Sequence, residues 1–304
     1  MDKIISHFKP DLFIPGAAKS GTTTLHDLLN THPDISMSKI KEPGYWKINK
    51  FKNFGKIEML KYKNLFDKKS NIKGESSTAY MYHDSFIENI KNNYKISPKF
   101  IFILRNPIDR YVSHFNWMKG LGLEKNKIEE TINKNHSFNF KEYDDYPKYY
   151  YEFGLYNRWI LRFIKKFGRE NIKIITFENL FKNKIDVLNS CFDFIGVDHM
   201  SKIENIISNK TKKILFPNFF HFVRKSASGR IKHIKYLKYL FPKKSRSDIK
   251  YLMKFIIKKW VKKDLKYNKL DTQYREYLKE FYKDDVNELK NTLNYEFSEW
   301  KDFN

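Results

Sequence analysis

The chain has 304 residues, with 59 Lys or Arg against 35 Asp or Glu, a formal charge of +24. At 41% hydrophobic and 17% aromatic residues it can bury a core, which excludes a disordered chain. A lone cysteine, Cys191, excludes an intramolecular disulfide. No segment offers the roughly 18 apolar residues of a membrane span, and no His or Cys spacing fits zinc. A soluble protein in the cytoplasm is the expectation. The basic surface suits polyanions (nucleic acid, acidic lipid headgroups, phosphorylated cofactors, acidic glycans) or solubility alone, and charge does not choose among them.

Leu12–Pro15 reads as a strand. The small and hydroxylated stretch Gly16–Thr24 follows, then a helix marked by Leu25, Leu28 and Leu29 and closed by His32-Pro33-Asp34. Ile35–Met37 is a second strand. Lys99–Leu104 is a buried strand ending at Arg105-Asn106-Pro107, with a helix starting near Ile108. Tyr156–Phe167 is a helix leading into the strand Asn171–Phe177. Cys191 lies in the apolar run Val187–Ile195 and reads as a core thiol. Thr272–Leu293 is a late helix. Strands alternating with helices predict an α/β protein with a P-loop-like three-layer fold, a central, mainly parallel sheet flanked by helices.

A single domain over 1–304 is expected, with two excursions. A polar insertion spans about 120–150 and is either a cover for the site or a plain surface loop. A basic helical region spans about 205–265. Within it, Asn205–Ser247 carries 12 Lys and Arg and no Asp or Glu. Ile231, Ile234, Leu237 and Leu240 recur there between lysines, as in a basic amphipathic helix. Such a helix suits an acidic membrane, an anionic substrate groove or a solvated face.

Gly16-Ala17-Ala18-Lys19-Ser20-Gly21-Thr22-Thr23-Thr24 sits between a strand and a helix. In that place backbone N–H groups bind an anion, and Gly16 and Gly21 let it come close. Nucleoside-triphosphate loops put lysine directly after the second glycine, where this chain has Thr22. Lys19 stands two residues before Gly21 instead. The alternative is a glycine turn capped by Ser20 or Thr22. Arg105, at a strand end, has the planar fork that pairs with phosphate oxygens, or else makes a strand-end ion pair. Ser113, eight residues on, either helps hold that phosphate or is a plain helix residue. Arg110 is expected to pair with Asp109 or a helix end.

Lys19-Ser20-Gly21-Thr22-Thr23 resembles the 5′-phosphosulfate loop of sulfotransferases that use 3′-phosphoadenosine 5′-phosphosulfate (PAPS). Lys41-Glu42-Pro43 with Tyr45-Trp46, Gly74-Glu75-Ser76-Ser77-Thr78-Ala79-Tyr80, and Ile103-Leu104-Arg105-Asn106-Pro107 with Ser113 resemble further motifs of that family, in order. The likeness covers most of residues 11–200. It is closer to heparan-sulfate-type and bacterial carbohydrate enzymes than to the small-phenol branch, whose histidine base has no match here.

The resemblance implies sulfuryl transfer from PAPS to a hydroxyl or amine of a glycan or glycolipid acceptor, anionic or neutral, leaving 3′-phosphoadenosine 5′-phosphate. It implies that Lys19, Ser20, Gly21, Thr22, Thr23 and Thr24 hold the 5′ end and that Arg105 and Ser113 hold the 3′-phosphate. Glu42 would be the general base, and Lys19 would stabilise charge on the breaking P–O–S bridge. No metal and no nucleic-acid partner are expected; peripheral contact with a membrane is one option left open. Two departures stand out. Ser76 occupies the place of a family lysine, and a late Lys-Gly-Phe motif is missing. Lys210, Lys212 and Lys213 are the substitutes for closing over the donor. A kinase-like P-loop enzyme and a non-catalytic polyanion binder are the competing readings; the first predicts Mg²⁺-ATP binding, the second steep salt dependence without turnover.

Overall fold

The computed structural model describes residues 8–47, 56–67, 69–132, 148–202, 212–214, 261–264 and 270–304. The chain packs as two compact units: one of Met1–Tyr111, His136–Asn209 and Asp271–Asn304, the other of Val112–Asn135 and Lys210–Leu270.

The first unit is built on five parallel strands, β1 (Leu12–Ile14), β2 (Ile35–Met37), β3 (Ile72–Ser76), β4 (Lys99–Leu104) and β5 (Ile172–Thr176), in the order β2-β3-β1-β4-β5. Side chains alternate across a strand, so β4 sends Phe100 and Phe102 to one face and Ile101 and Ile103 to the other, all fully buried. On the aliphatic face Leu12, Ile14, Ile101, Ile103 and Ile175 pack with Leu25, Leu28 and Leu29 of α1 (Thr22–Leu29). Val187, Leu188, Cys191 and Phe192 of α8 (Lys184–Ile195) complete that layer. Cys191 is the expected core thiol, and burial pushes it up to about 12.

The other face is aromatic. Phe13 stacks on Phe100 at 6.1 Å. Phe86 of α3 (Asp84–Asn93) meets Phe13 edge-on at 5.4 Å. Phe163 of α6 (Tyr156–Phe167) lies 4.9 Å from Phe102 and 5.5 Å from Phe100. Burying each such ring contributes about 1.5–3 kcal/mol. The sheet between two helical layers is the fold class expected. β4, α6, β2 and the late helix α9 (Thr272–Leu293) match their predicted bounds, and β1 and β5 are slightly shorter than expected.

Strand β3 was not anticipated. Its sequence Ile-Lys-Gly-Glu-Ser lacks an apolar run, yet it lies second from the sheet's edge between β2 and β1. Gly74 is required there because a Cβ would strike the Met37 sulfur. The remaining helices of this unit are α2 (Lys56–Lys63) and α7 (Phe177–Lys182).

The chain enters the second unit within α4 (Pro107–Gly120). That unit includes α5 (Ile128–Ile132) and an antiparallel pair, β6 (Lys212–Ile214) and β7 (Val261–Asp264). So two pieces of the span read as a basic helical region are strands. The rest of that span, with Ile231–Leu240 and Lys210, lies outside the described residues, as does 133–147 of the polar insertion. Among the described residues no helix is long and apolar enough to cross a membrane.

Candidate active site

Parallel strands end together at one edge of the sheet. From β1 the chain leaves toward β2, and from β4 toward β5, so the loops after β1 and β4 part and open a crevice, the usual ligand position in such sheets. The loop after β1 is tied down on both sides. Ala17 N donates to the Ile103 carbonyl at 2.9 Å and Ile103 N donates to the Gly16 carbonyl at 3.0 Å. Ala18 N donates to the Tyr82 hydroxyl at 3.3 Å. The Ser20 hydroxyl is buried beside the Tyr156 phenol.

Gly21 begins α1 with φ 91°, and among the described residues no side chain caps the helix. The alternative of a turn capped by Ser20 or Thr22 is therefore set aside. The first amides of α1, from Thr22, Thr23 and Thr24, carry the positive end of the helix and take no side-chain cap among the described residues, a ready anion cradle.

Cations converge on this cradle. Burial, then the charges of Arg105, Lys41 and Arg110, push Lys19 down to about 8. Arg105 leaves the end of β4 and lies over the Phe177 ring at 4.6 Å. The same ring fills the space a Cβ would need at Gly21, 2.8 Å away. Tyr156 donates to the Arg105 carbonyl at 2.8 Å. The Nε of Arg105 is buried without a hydrogen-bond partner among the described residues. A buried, unpaired charged donor is costly unless a ligand satisfies it, so the residues present fit an anionic group beside the loop.

Arg110 departs from its expected role. It is fully buried and donates to the Tyr150 carbonyl, while Asp109 pairs with Arg275 at 3.0 Å. Asp109 faces α9, so the neighbouring guanidinium turns inward.

Glu42 follows β2. Its amide donates to the Ser76 carbonyl at 2.9 Å, which hangs its loop on the end of β3. Its carboxylate accepts from Lys41 Nζ at 2.7 Å, from Thr78 N at 2.8 Å and from Thr78 Oγ1 at 3.1 Å. Lys19 and Glu42 both hold the left-handed backbone, φ 69° and 59°. Non-glycine residues pay for that conformation, and it collects at functional sites.

Sequence reasoning missed three members of this neighbourhood. Lys41 was noted only as the neighbour of Glu42, yet its charge acts on Lys19, His26, Asp27 and Glu42 alike. His26, buried on α1, holds Ser76 Oγ at 2.9 Å through Nδ1; burial and then Lys41 push it down to about 4, so it is neutral. Its place on the inward face of α1, beside Leu25 and Leu29, was the available signal. Glu75 is fully buried and pushed up to about 7 by that burial, against bonds from Tyr62, Tyr80 and Ser77.

Of the other expected residues, Ser113 is buried on α4 (4% exposed) in the second unit. Lys212 and Lys213 form part of β6 in that unit.

Comparison with known proteins bears on the family and the fold. The family model described as a sulfotransferase domain matches residues 9–293. Carbohydrate sulfotransferase 15 of Mus musculus is 22% identical over a match covering 67% of this chain and 47% of that protein. The Homo sapiens protein of the same name is 21% identical with the same coverage. The chain thus spans about half the length of these curated relatives. A solved sulfotransferase from Alicyclobacillus acidocaldarius shares the fold, with a TM-score of 0.65 and 22% identity over 97% of this chain and 99% of that one. Carrying the family's domain across nearly its whole length, the chain belongs to the sulfotransferase family.

Proposed function

We propose that the protein transfers the sulfuryl group of PAPS to a hydroxyl of a carbohydrate acceptor, with Glu42 as general base. The observation that carries this reading is the gathering of Lys19, Lys41 and Arg105 around an uncapped helix start, with Glu42 bound to Lys41. The amides of Thr22, Thr23 and Thr24 and the Lys19 ammonium suit the 5′-phosphosulfate. The orphaned Nε of Arg105 suits the 3′-phosphate.

PAPS supplies an activated S–O bond whose departing group is a phosphate. Glu42 takes the proton of the attacking hydroxyl as its oxygen bonds to sulfur. Lys19 and the loop amides stabilise the charge left on the phosphate oxygen when the old S–O bond breaks. Lys41 and the Thr78 amide hold the carboxylate of Glu42 in one orientation. The carbohydrate acceptor is supported by the name of the curated relatives.

Calorimetry with 3′-phosphoadenosine 5′-phosphate against AMP tests the donor. At least tenfold tighter binding of the bisphosphate is expected, and equal affinity overturns the reading. Transfer from ³⁵S-labelled PAPS to a panel of glycosides and unsulfated polysaccharides tests the acceptor and the base. Glu42→Gln should keep bisphosphate affinity and lose transfer; retained turnover would reassign the base.

A further inference from the structure

The loop that carries Glu42 has a second support, buried beneath it. Gly44 N donates to Ser77 Oγ at 3.1 Å, and Ser77 Oγ donates to Glu75 Oε1 at 2.8 Å. Trp46 N donates to the Tyr80 hydroxyl at 2.9 Å, and that hydroxyl is buried close to the Glu75 carboxyl. Tyr62 donates to the other carboxyl oxygen, Oε2, and stacks on Tyr45 of the loop with ring centres 4.0 Å apart. All four side chains are buried, Glu75 completely.

Directionality makes this more than packing. A hydroxyl has one proton. In its ionised form the carboxyl is acceptor-only, so above about pH 7 it draws the proton of Ser77, and by its charge that of Tyr80, toward itself. The lone pairs of both hydroxyls must then face the loop, where Gly44 N and Trp46 N need acceptors. An amide at position 75 has one acceptor oxygen where the carboxylate has two, so its N–H₂ meets Tyr62 or Ser77. Facing Ser77 it reverses that hydroxyl, whose O–H would meet the Gly44 N–H, donor against donor; facing Tyr62 it leaves Ser77 and Tyr80 one neutral, weaker acceptor.

We propose that Glu75 is a positioning residue, whose carboxyl sets the direction of Ser77 and Tyr80 and through them fixes the loop that presents Glu42. The inference rests on Glu42 as the base; what it adds is the device that holds Glu42 in place. Glu75 is on β3 and Glu42 follows β2, so the link couples two strand ends, and Glu75 itself is fully buried, away from any substrate.

The test joins hydrogen–deuterium exchange with kinetics on Glu75→Gln. Amides of Gly44 and Trp46 are expected to exchange at least tenfold faster while α1 amides keep their rates. Affinity for 3′-phosphoadenosine 5′-phosphate should stay within twofold. Turnover on the best acceptor of the panel should fall at least tenfold with donor KM unchanged. Because the effect runs through Glu42, the double variant with Glu42→Gln should be no slower than Glu42→Gln alone.

Unchanged exchange at both amides, or losses that multiply in the double variant, would overturn the proposal. Should Glu75→Gln not fold, Ser77→Ala and Tyr80→Phe each remove one arm, read at Gly44 and Trp46 respectively. Retained turnover in Glu42→Gln sinks the base assignment by itself, and the exchange measurement still decides whether Glu75 holds the loop.

Discussion

Lys19 is crowded by other cations, and it is the residue the proposed chemistry most needs. It is half-buried, faces three other cations and sits at φ 69°. An anion relieves the repulsion and favours the charged lysine. Affinity for 3′-phosphoadenosine 5′-phosphate should therefore be full below pH 8 and fall as pH rises through about 8, where the free protein loses the Lys19 proton. Calorimetry at pH 7 and pH 9 checks this, and Lys19→Arg, which stays charged, should flatten the dependence. The same residue trades stability for function. Lys19→Asn tolerates the left-handed backbone and removes the repelled charge, so it should melt later, by about 1 kcal/mol in thermal unfolding, while losing transfer. Arg105→Ala should cost about 10- to 100-fold in affinity for the bisphosphate, as expected for lost charge-assisted bonds, and leave AMP affinity nearly unchanged.

At the scale of elements, the strand–loop–helix around Gly21 explains what was legible. A phosphate held by main-chain amides requires glycine and small hydroxylated residues at fixed local spacing, so Gly16–Thr24 declared itself. β4 did so too, because a strand buried on both faces is a near-continuous apolar run. β3 stayed hidden for the opposite reason. Its buried places are taken by Gly74, under Met37, and by Glu75, whose carboxyl takes the hydroxyls of Ser77 and Tyr62. His26 and Lys41 were likewise unreadable as site members, since their roles arise only when β2, β3 and α1 meet. Arg110 misled because a sequence neighbour, Asp109, offered a charge that the fold gives to Arg275. Gly21→Ala tests the element directly. With φ 91° and the Phe177 ring in the way, it should destabilise by about 1–3 kcal/mol, read in denaturant unfolding. It should weaken donor binding too, because the displaced ring also carries Arg105.

Across the first unit as a whole, the loop after β4 is braced by residues far along the chain. Asn106 N donates to Glu178 at 2.9 Å, and Trp300 Nε1 donates to the same carboxylate at 3.1 Å. Asn106 Nδ2 donates at 2.6 Å to Asp302, which also takes Arg275 at 2.7 Å. Asp302→Ala should therefore lower unfolding stability by about 1–3 kcal/mol and loosen the bisphosphate, an effect that calorimetry would separate from simple loss of fold.

Asn106 and Asp302 are 196 positions apart, and Glu178 and Trp300 are 122 apart. During synthesis the five strands emerge long before these anchors do. A nascent chain whose Trp300 is still inside the ribosomal tunnel can assemble its sheet and its glycine loop, but not the buttress of its guanidinium. Capture of the proposed nucleotide should thus wait until Trp300 and Asp302 have left the ribosome, and nascent chains arrested before that point should let the bisphosphate go.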